Sequence, residues 1–396
     1  MSSTNDPGKA ARSGLGPERR LALVAVIGAA TIVTLCSGLA WPLLSLRLAA
    51  MGHSGAEIGF STAAQSLAMV AVAPFVARMA GRVGAIRLML MAVVGAVATL
   101  LAMAAWETYA AWFALRFLLG ICMEILYIMA DAWVIQLAPP ALRGRILGIY
   151  TSVSLVGFAC GPLVIDVVGV AGWAPFAAGA LCVGLAALPL WASRRIGPAA
   201  EGHPSRGFFS FFLATPVIML AGAMFGFVDV MALALLPVYA LRSGFAETDV
   251  PRLVTYAVVG SIAWQVPLGW LCDRFDRRLI LAGCTLTACL CGIALPFGIH
   301  SLPGSVAVLV MWGGAMGGFF TVGMVMLGER YKGPDLLAAN AFFVLMFGFG
   351  SMVGPTVGGT AMDLWDPHGM PAVMALTAAI FLPFALRGDR PPRPQA

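Results

Sequence analysis

Twelve apolar runs, each long enough to cross a bilayer and each ended by charge, glycine or proline, divide this chain of 396 residues. A spanning helix needs about 20 consecutive, mostly apolar residues. The first six runs lie near 21–49, 57–77, 86–105, 109–137, 142–168 and 171–192. The second six lie near 212–241, 251–272, 279–298, 303–328, 336–362 and 370–387. In lipid, only helices and closed barrels satisfy every backbone N–H and C=O. These runs are too long and too uniformly apolar for barrel strands, so they predict an all-α polytopic membrane protein.

Composition agrees. Only 11% of residues are charged and 60% are hydrophobic, whereas a soluble domain carries about 25% charged residues. Soluble enzymes, secreted disulfide scaffolds and disordered proteins are thereby excluded. The eight cysteines fall within apolar runs or at their edges and read as small buried hydrophobes. The first run is too long for the core of a signal peptide, so it is expected to stay as a helix.

The basic excess, 22 Arg and two Lys, carries topology. With the N-terminus inside, 20 of these residues fall on the inner side. Three fall outside (Arg47, Arg242, Arg252) and one, Arg116, within a span. An error of one span would scramble this partition, so both termini are expected to be cytoplasmic. No basic run interleaved with aromatics suggests nucleic acid. The expected organisation is a cytoplasmic tail (1–20), a six-helix bundle (21–192), a polar cytoplasmic linker (193–211), a second six-helix bundle (212–387) and a cytoplasmic tail (388–396).

The two bundles repeat. At an offset of 193, Pro74 falls on Pro267, Gly120 on Gly313, Gly157 on Gly350, and Gly161-Pro162 on Gly354-Pro355. Parallel repeats of six spans are one architecture of secondary transporters.

At this point several motifs resemble the major facilitator superfamily, over all twelve spans. Between spans 8 and 9, Gly269-Trp270-Leu271-Cys272-Asp273-Arg274-Phe275-Asp276-Arg277-Arg278 resembles the superfamily's G-x-x-x-D-R-x-x-R-R loop. In span 4, Arg116-Phe117-Leu118-Leu119-Gly120 is similar to its embedded R-x-x-x-G motif. In span 11, Gly350, Gly354, Pro355, Gly358 and Gly359 form a G-x-x-x-G-P-x-x-G-G motif like that of antiporters. Finer features, such as Asp131-Ala132-Trp133 and Leu236-Pro237-Val238-Tyr239, look like a bacterial branch of it. There are two departures. The loop after span 2 lacks the family's aspartate and is all basic (Arg78, Arg82, Arg87). Span 5 carries Gly157, Gly161 and Pro162 but then ends Ile165-Asp166. The resemblance implies two pseudo-symmetric six-helix bundles in a bacterial inner membrane. It also implies a gate at the cytoplasmic face, where the loop after span 2 meets the start of span 11 and the loop after span 8 meets the start of span 5. Complementary charges assign Arg78 or Arg82 to Asp335, and Asp273 to Arg143 or Arg145.

Ionisable groups inside a membrane are functional candidates by default. In span 4, Arg116, Gly120, Glu124, Tyr127 and Asp131 recur at intervals of 4, 4, 3 and 4, one helical face reaching over roughly 22 Å. Such a stripe is expected to face a water-filled cavity, with a fixed Arg116–Glu124 salt bridge as the alternative. Asp229, near the middle of span 7, has no basic neighbour in its own helix, which suits it to loading and releasing a proton.

The 21 methionines read as adaptable packing, and all four histidines lie in loops, so no metal is expected. No Walker, zinc or nucleophile-elbow motif is present; no cofactor and no enzymatic activity are expected. Without a nucleotide-binding module, active transport must draw on an ion gradient. The sequence therefore predicts a monomeric secondary transporter of a small solute, proton-coupled and leaning toward export. An uncoupled facilitator, a proton-driven importer and, further off, an intramembrane enzyme are the alternatives.

Overall fold

The computed structural model describes residues 17–139, 143–193, 210–331 and 334–389, with the side chains of 17, 143–145, 210, 273 and 334–338 outside that description. The linker and most of both tails therefore lie outside the described residues. What is described is helical, with no strand, and twelve helices are long and apolar enough to span a membrane. They are Glu18–Ala50, Gly55–Val83, Ala85–Ala105, Tyr109–Leu137, Ile146–Val168, Ala174–Ala192, Pro216–Arg242, Val250–Cys272, Arg277–Gly298, Leu302–Arg330, Ala339–Leu364 and Gly369–Arg387. Below they are spans 1 to 12. Successive spans alternate in direction, so the bundle has a termini end and a far end.

The helices overrun the apolar stretches that predicted them. Span 2 continues to Val83 although its apolar run stops near 77, because a helix that leaves the hydrocarbon meets water that tolerates charge. Arg78 and Arg82 ride on this extension, exposed. Its start is fixed locally by a capping box: the Ser54 hydroxyl accepts from the Glu57 N–H and the Glu57 carboxylate accepts from the Ser54 N–H. Span 6 is split at Ala186 into Ala174–Leu185 and Ala187–Ala192.

Within each half the helices pair in the same pattern: span 1 with 5, 2 with 4, 3 with 4 and 6, repeated as 7 with 11, 8 with 10, 9 with 10 and 12. The glycines at the repeat offset make these pairings. A Cβ on Gly120 would stand 2.8 Å from the Gln65 carbonyl oxygen of span 2, and one on Gly313 1.8 Å from that of Ala257 in span 8. Gly157 and Gly161 likewise meet the backbone of span 1, at Thr31 and Gly38, as Gly350 and Gly354 meet that of span 7, at Ala223 and Phe227. Lipid offers no hydrophobic drive for helices to associate, so close backbone approach over small residues supplies it through dispersion. Between the halves, span 2 packs on span 11, span 5 on span 8, and span 1 on span 7.

The residue after span 12 closes the termini end of span 7. The Asp389 carboxylate accepts from the N–H groups of Val217 (2.8 Å) and Ile218 (3.3 Å), where the helix presents unpaired donors. Burial pushes this carboxyl above its ordinary range, and the two N–H groups pull it back.

Candidate functional site

At mid-depth between the halves lies a cavity of about 460 Å³, walled by spans 1, 2, 4 and 5 on one side and 7, 8, 10 and 11 on the other. Glu124, Tyr127 and Asp131 of span 4 and Asp229 of span 7 all line it. The Tyr127 hydroxyl donates to Ser37 Oγ of span 1 at 2.7 Å. Asp131 accepts from the Tyr150 hydroxyl of span 5 at 2.5 Å. Glu124 and Asp229 have no hydrogen-bond or ion-pair partner among the described residues, and they come from opposite halves of the repeat. These two are the carboxylates of the cavity, among the described residues, that are free to accept a proton.

Arg116 stands apart. It is 0% exposed, does not line the cavity, and donates from Nη1 to Ser61 Oγ of span 2 at 3.2 Å. Its Nε and Nη2 have no partner. Neither the cavity-facing position expected from the sequence nor the alternative salt bridge with Glu124 is present. Winding of the helix does not set Arg116 apart, since the eleven residues to Tyr127 pass three turns by only about 20°. The difference is depth, eight residues or roughly 12 Å from Glu124 along the helix, and the neighbour that each side chain meets there. Arg116 faces span 2, Tyr127 faces span 1, and Asp131 faces span 5.

The loop motif after span 8 is built into the termini end of the second half. Arg274 lies over the Trp270 ring, 4.1 Å from its centroid. Arg277 pairs with Glu329 of span 10 at 2.7 Å, and Arg278 donates to the Asp389 carbonyl at 3.2 Å. Asp276, beside the motif's aspartate, caps span 9 by accepting from the Arg278 N–H. Both gate contacts expected from the sequence involve Asp273, Asp335, Arg143 or Arg145, whose side chains lie outside the described residues. Arg78 packs over Phe75, 5.7 Å from its ring centroid.

The span 11 motif serves two faces at once. Gly350, Gly354 and Gly358 pack on span 7, the last against Met231. Pro355 and Gly359 turn toward span 2 of the other half: a Cβ on Gly59 would sit 1.9 Å from the Pro355 oxygen, and one on Gly359 1.9 Å from that of Gly55. At this far end sit acids that the sequence reading did not single out as site residues. Asp363 accepts from the N–H groups of Gly55 (2.8 Å) and Ala56 (2.7 Å) and pairs with Arg242 at 3.1 Å. Arg242 also reaches Asp366 at 2.8 Å. Asp166 ends span 5 and pairs with Arg252 of span 8 at 3.1 Å. Arg47 pairs with Glu107. The three arginines of the outer partition thus each meet a carboxylate that ends a span or lies in a far-end loop.

The comparisons with known proteins agree with this geometry. The sequence profile of the Major Facilitator Superfamily matches residues 26–264 and 244–396. The chain is 27% identical over 348 residues to the MFS-type transporter YfkF of Bacillus subtilis (strain 168), covering 86% of this chain and 88% of that one. It is 25% identical over 294 residues to the MFS-type transporter YcaD of Escherichia coli O9:H4 (strain HS), covering 72% and 74%. In fold it is similar to a bacterial homolog of the human lysosomal transporter Spinster in an inward-facing, unoccupied conformation (TM-score 0.74, 15% identity, 94% and 96% covered). It is likewise similar to the nucleoside transporter NupG (TM-score 0.74, 14% identity, 92% and 98% covered). The chain belongs to the Major Facilitator Superfamily, as a multi-pass membrane transporter of a small solute.

Proposed function

We propose that this transporter is proton-coupled and works by alternating access, exposing the central cavity to one side of a bacterial inner membrane at a time. The observation that carries the reading is the pair of unpartnered carboxylates, Glu124 and Asp229, one from each half, in a cavity otherwise poor in charge. A carboxylate without a fixed partner in such a place can exchange a proton with water when the cavity opens, and carry it when the cavity closes. The partition of basic residues places the termini and the linker in the cytoplasm. The far-end contacts then lie on the outer side. The span 11 glycine motif and the short loops favour export. One chain completes the cavity, so the monomer suffices.

The test is transport by the purified protein in liposomes, with a substrate found by thermal-shift screening, since a ligand that binds the folded state stabilises it by mass action. Glu124→Gln and Asp229→Asn are each expected to be scored for pH-driven accumulation and for substrate exchange. Loss of accumulation with exchange retained, in at least one variant, is the expected result. Normal accumulation in both removes these acids from the proton path. Equal exchange with no response to a pH gradient in the parent protein makes it a facilitator.

A further inference from the structure

We infer that the cavity takes an amphiphilic organic cation, a bulky apolar body carrying a protonated or quaternary nitrogen or a comparable onium centre. This rests on the transport reading and names its substrate class. The volume, about 460 Å³, falls in the range of sites for drug-sized ligands. Three carboxylates line the cavity, Glu124, Asp131 and Asp229, and among the described residues no Lys, Arg or His does. The one arginine within a span, Arg116, is fully buried on Ser61 and does not line the cavity, so the wall itself offers no cation to an anionic solute.

The rest of the wall is mostly apolar and suits an apolar body better than a polyhydroxylated solute. Trp41, Phe158, Phe225, Trp312, Phe320 and Phe347 face the space, from both halves. Aromatic faces attract a desolvated cation through the ring quadrupole and cover apolar groups without asking for hydrogen bonds. The wall also holds three polar atoms without a partner among the described residues. Trp312 is 2% exposed, lines the cavity, and its indole N–H has no acceptor. The indole N–H of Trp41 and Oε1 of Gln65, both in the same wall, are also unpartnered. Buried polar atoms in a folded protein are normally paired. These atoms are sealed from solvent and an onium centre offers an indole N–H no acceptor, so the ligand class rests on the carboxylates and the aromatic wall.

Tetraphenylphosphonium and tetraphenylborate have nearly the same shape and opposite charge, and so isolate the sign of the site. Equilibrium binding of each to the purified full-length protein is the test. Saturable binding of the phosphonium is expected, with binding of the borate at least tenfold weaker. Glu124→Gln and Asp229→Asn are expected to weaken phosphonium binding about tenfold or more. Glu107→Gln, a far-end acid outside the cavity, is expected to leave it unchanged. If an amide variant does not fold, Glu124→Asp and Asp229→Glu, which keep the charge, are expected to retain most of the affinity. Equal binding of both ions, or wild-type affinity in both amide variants, overturns the inference. So does a screen whose stabilising ligands are anions or sugars and include no cations. Phosphonium binding at these acids with no movement in liposomes under any gradient instead overturns the transport reading and leaves the ligand class standing.

Discussion

The two seams that join the halves occupy equivalent places in the repeat, yet they are built from different chemistry. Where span 2 meets span 11, backbone touches backbone. Gly55 and Gly59 face Gly359 and Pro355 with no room for a side chain on either glycine, the Ser66 hydroxyl donates to the Ser351 carbonyl at 3.1 Å, and Asp363 caps the first turn of the opposing helix. Where span 5 meets span 8, side chains do the joining. Thr255 donates to the Ala159 carbonyl at 3.3 Å, and Arg252, 51% exposed, pairs with Asp166. The first seam is set by shape and by a charge on a helix terminus; the second rests on a pair open to water and salt. A carrier that parts both seams to open its far end therefore has one stiff seam and one weak one.

The largest effect is expected from filling the stiff seam. Gly59→Leu would place its Cβ 1.9 Å from the Pro355 oxygen, so spans 2 and 11 must separate at the far end. Overpacking of this kind costs about 1–3 kcal/mol. Because the halves are free to part, the cost should fall on the far-closed form alone, and labels across that seam should read longer distances. Gly161→Leu is the contrast. Its Cβ would lie 2.4 Å from the backbone of Gly38 within one half, so a lowered Tm is expected without a shift between open and closed forms. Equal label distances in Gly59→Leu and the parent protein would show that the seam is not part of a gate.

Asp363→Ala comes next. It removes a helix cap, worth about 0.5–2 kcal/mol, together with the partner of Arg242. The far-open population is expected to rise by roughly two- to thirtyfold, since 1.4 kcal/mol is a factor of ten. The smallest effect is expected from Arg252→Gln, because an exposed pair contributes about 1 kcal/mol or less. That effect should vanish in high salt, where the screening length is ~3 Å, whereas the Asp363→Ala effect should largely persist. Matching salt dependence in the two variants would dissolve the distinction between the seams.

The difference between the seams also shows what the sequence made legible. Spans, bundles and repeat were readable because bilayer thickness and the bookkeeping of backbone hydrogen bonds leave so few choices. The offset of 193 was read as a repeat from matching Gly and Pro positions, and at those positions the same helix contacts are made in both halves. Glu124, Tyr127, Asp131 and Asp229 were found from their cost in lipid, and they do line one cavity. Arg116 was misplaced because a shared face does not fix depth: it lies eight residues, roughly 12 Å, from Glu124, where its long side chain turns to Ser61 of span 2. Asp363 and Asp166 were overlooked as site residues because they lie at span ends, where a charge costs little and so gives no signal. Their meaning comes from which helix of the other half arrives there, and hydropathy does not carry that. The aromatic wall was equally hidden, since Phe and Trp in a membrane helix look alike whether they face lipid or a cavity.

The most direct test of proton-driven opening is the distance between labels on Met51 and Leu364, at the far ends of spans 1 and 11, in an otherwise cysteine-free background. Pulsed electron resonance would be recorded at acidic and alkaline pH, in the parent protein and in the Glu124→Gln/Asp229→Asn double variant. The expected result is two distance populations whose ratio changes with pH in the parent and is fixed in the double variant. A ratio that ignores pH in the parent, or that still follows pH when both carboxylates are amides, would contradict the assignment of the coupled proton to these two acids.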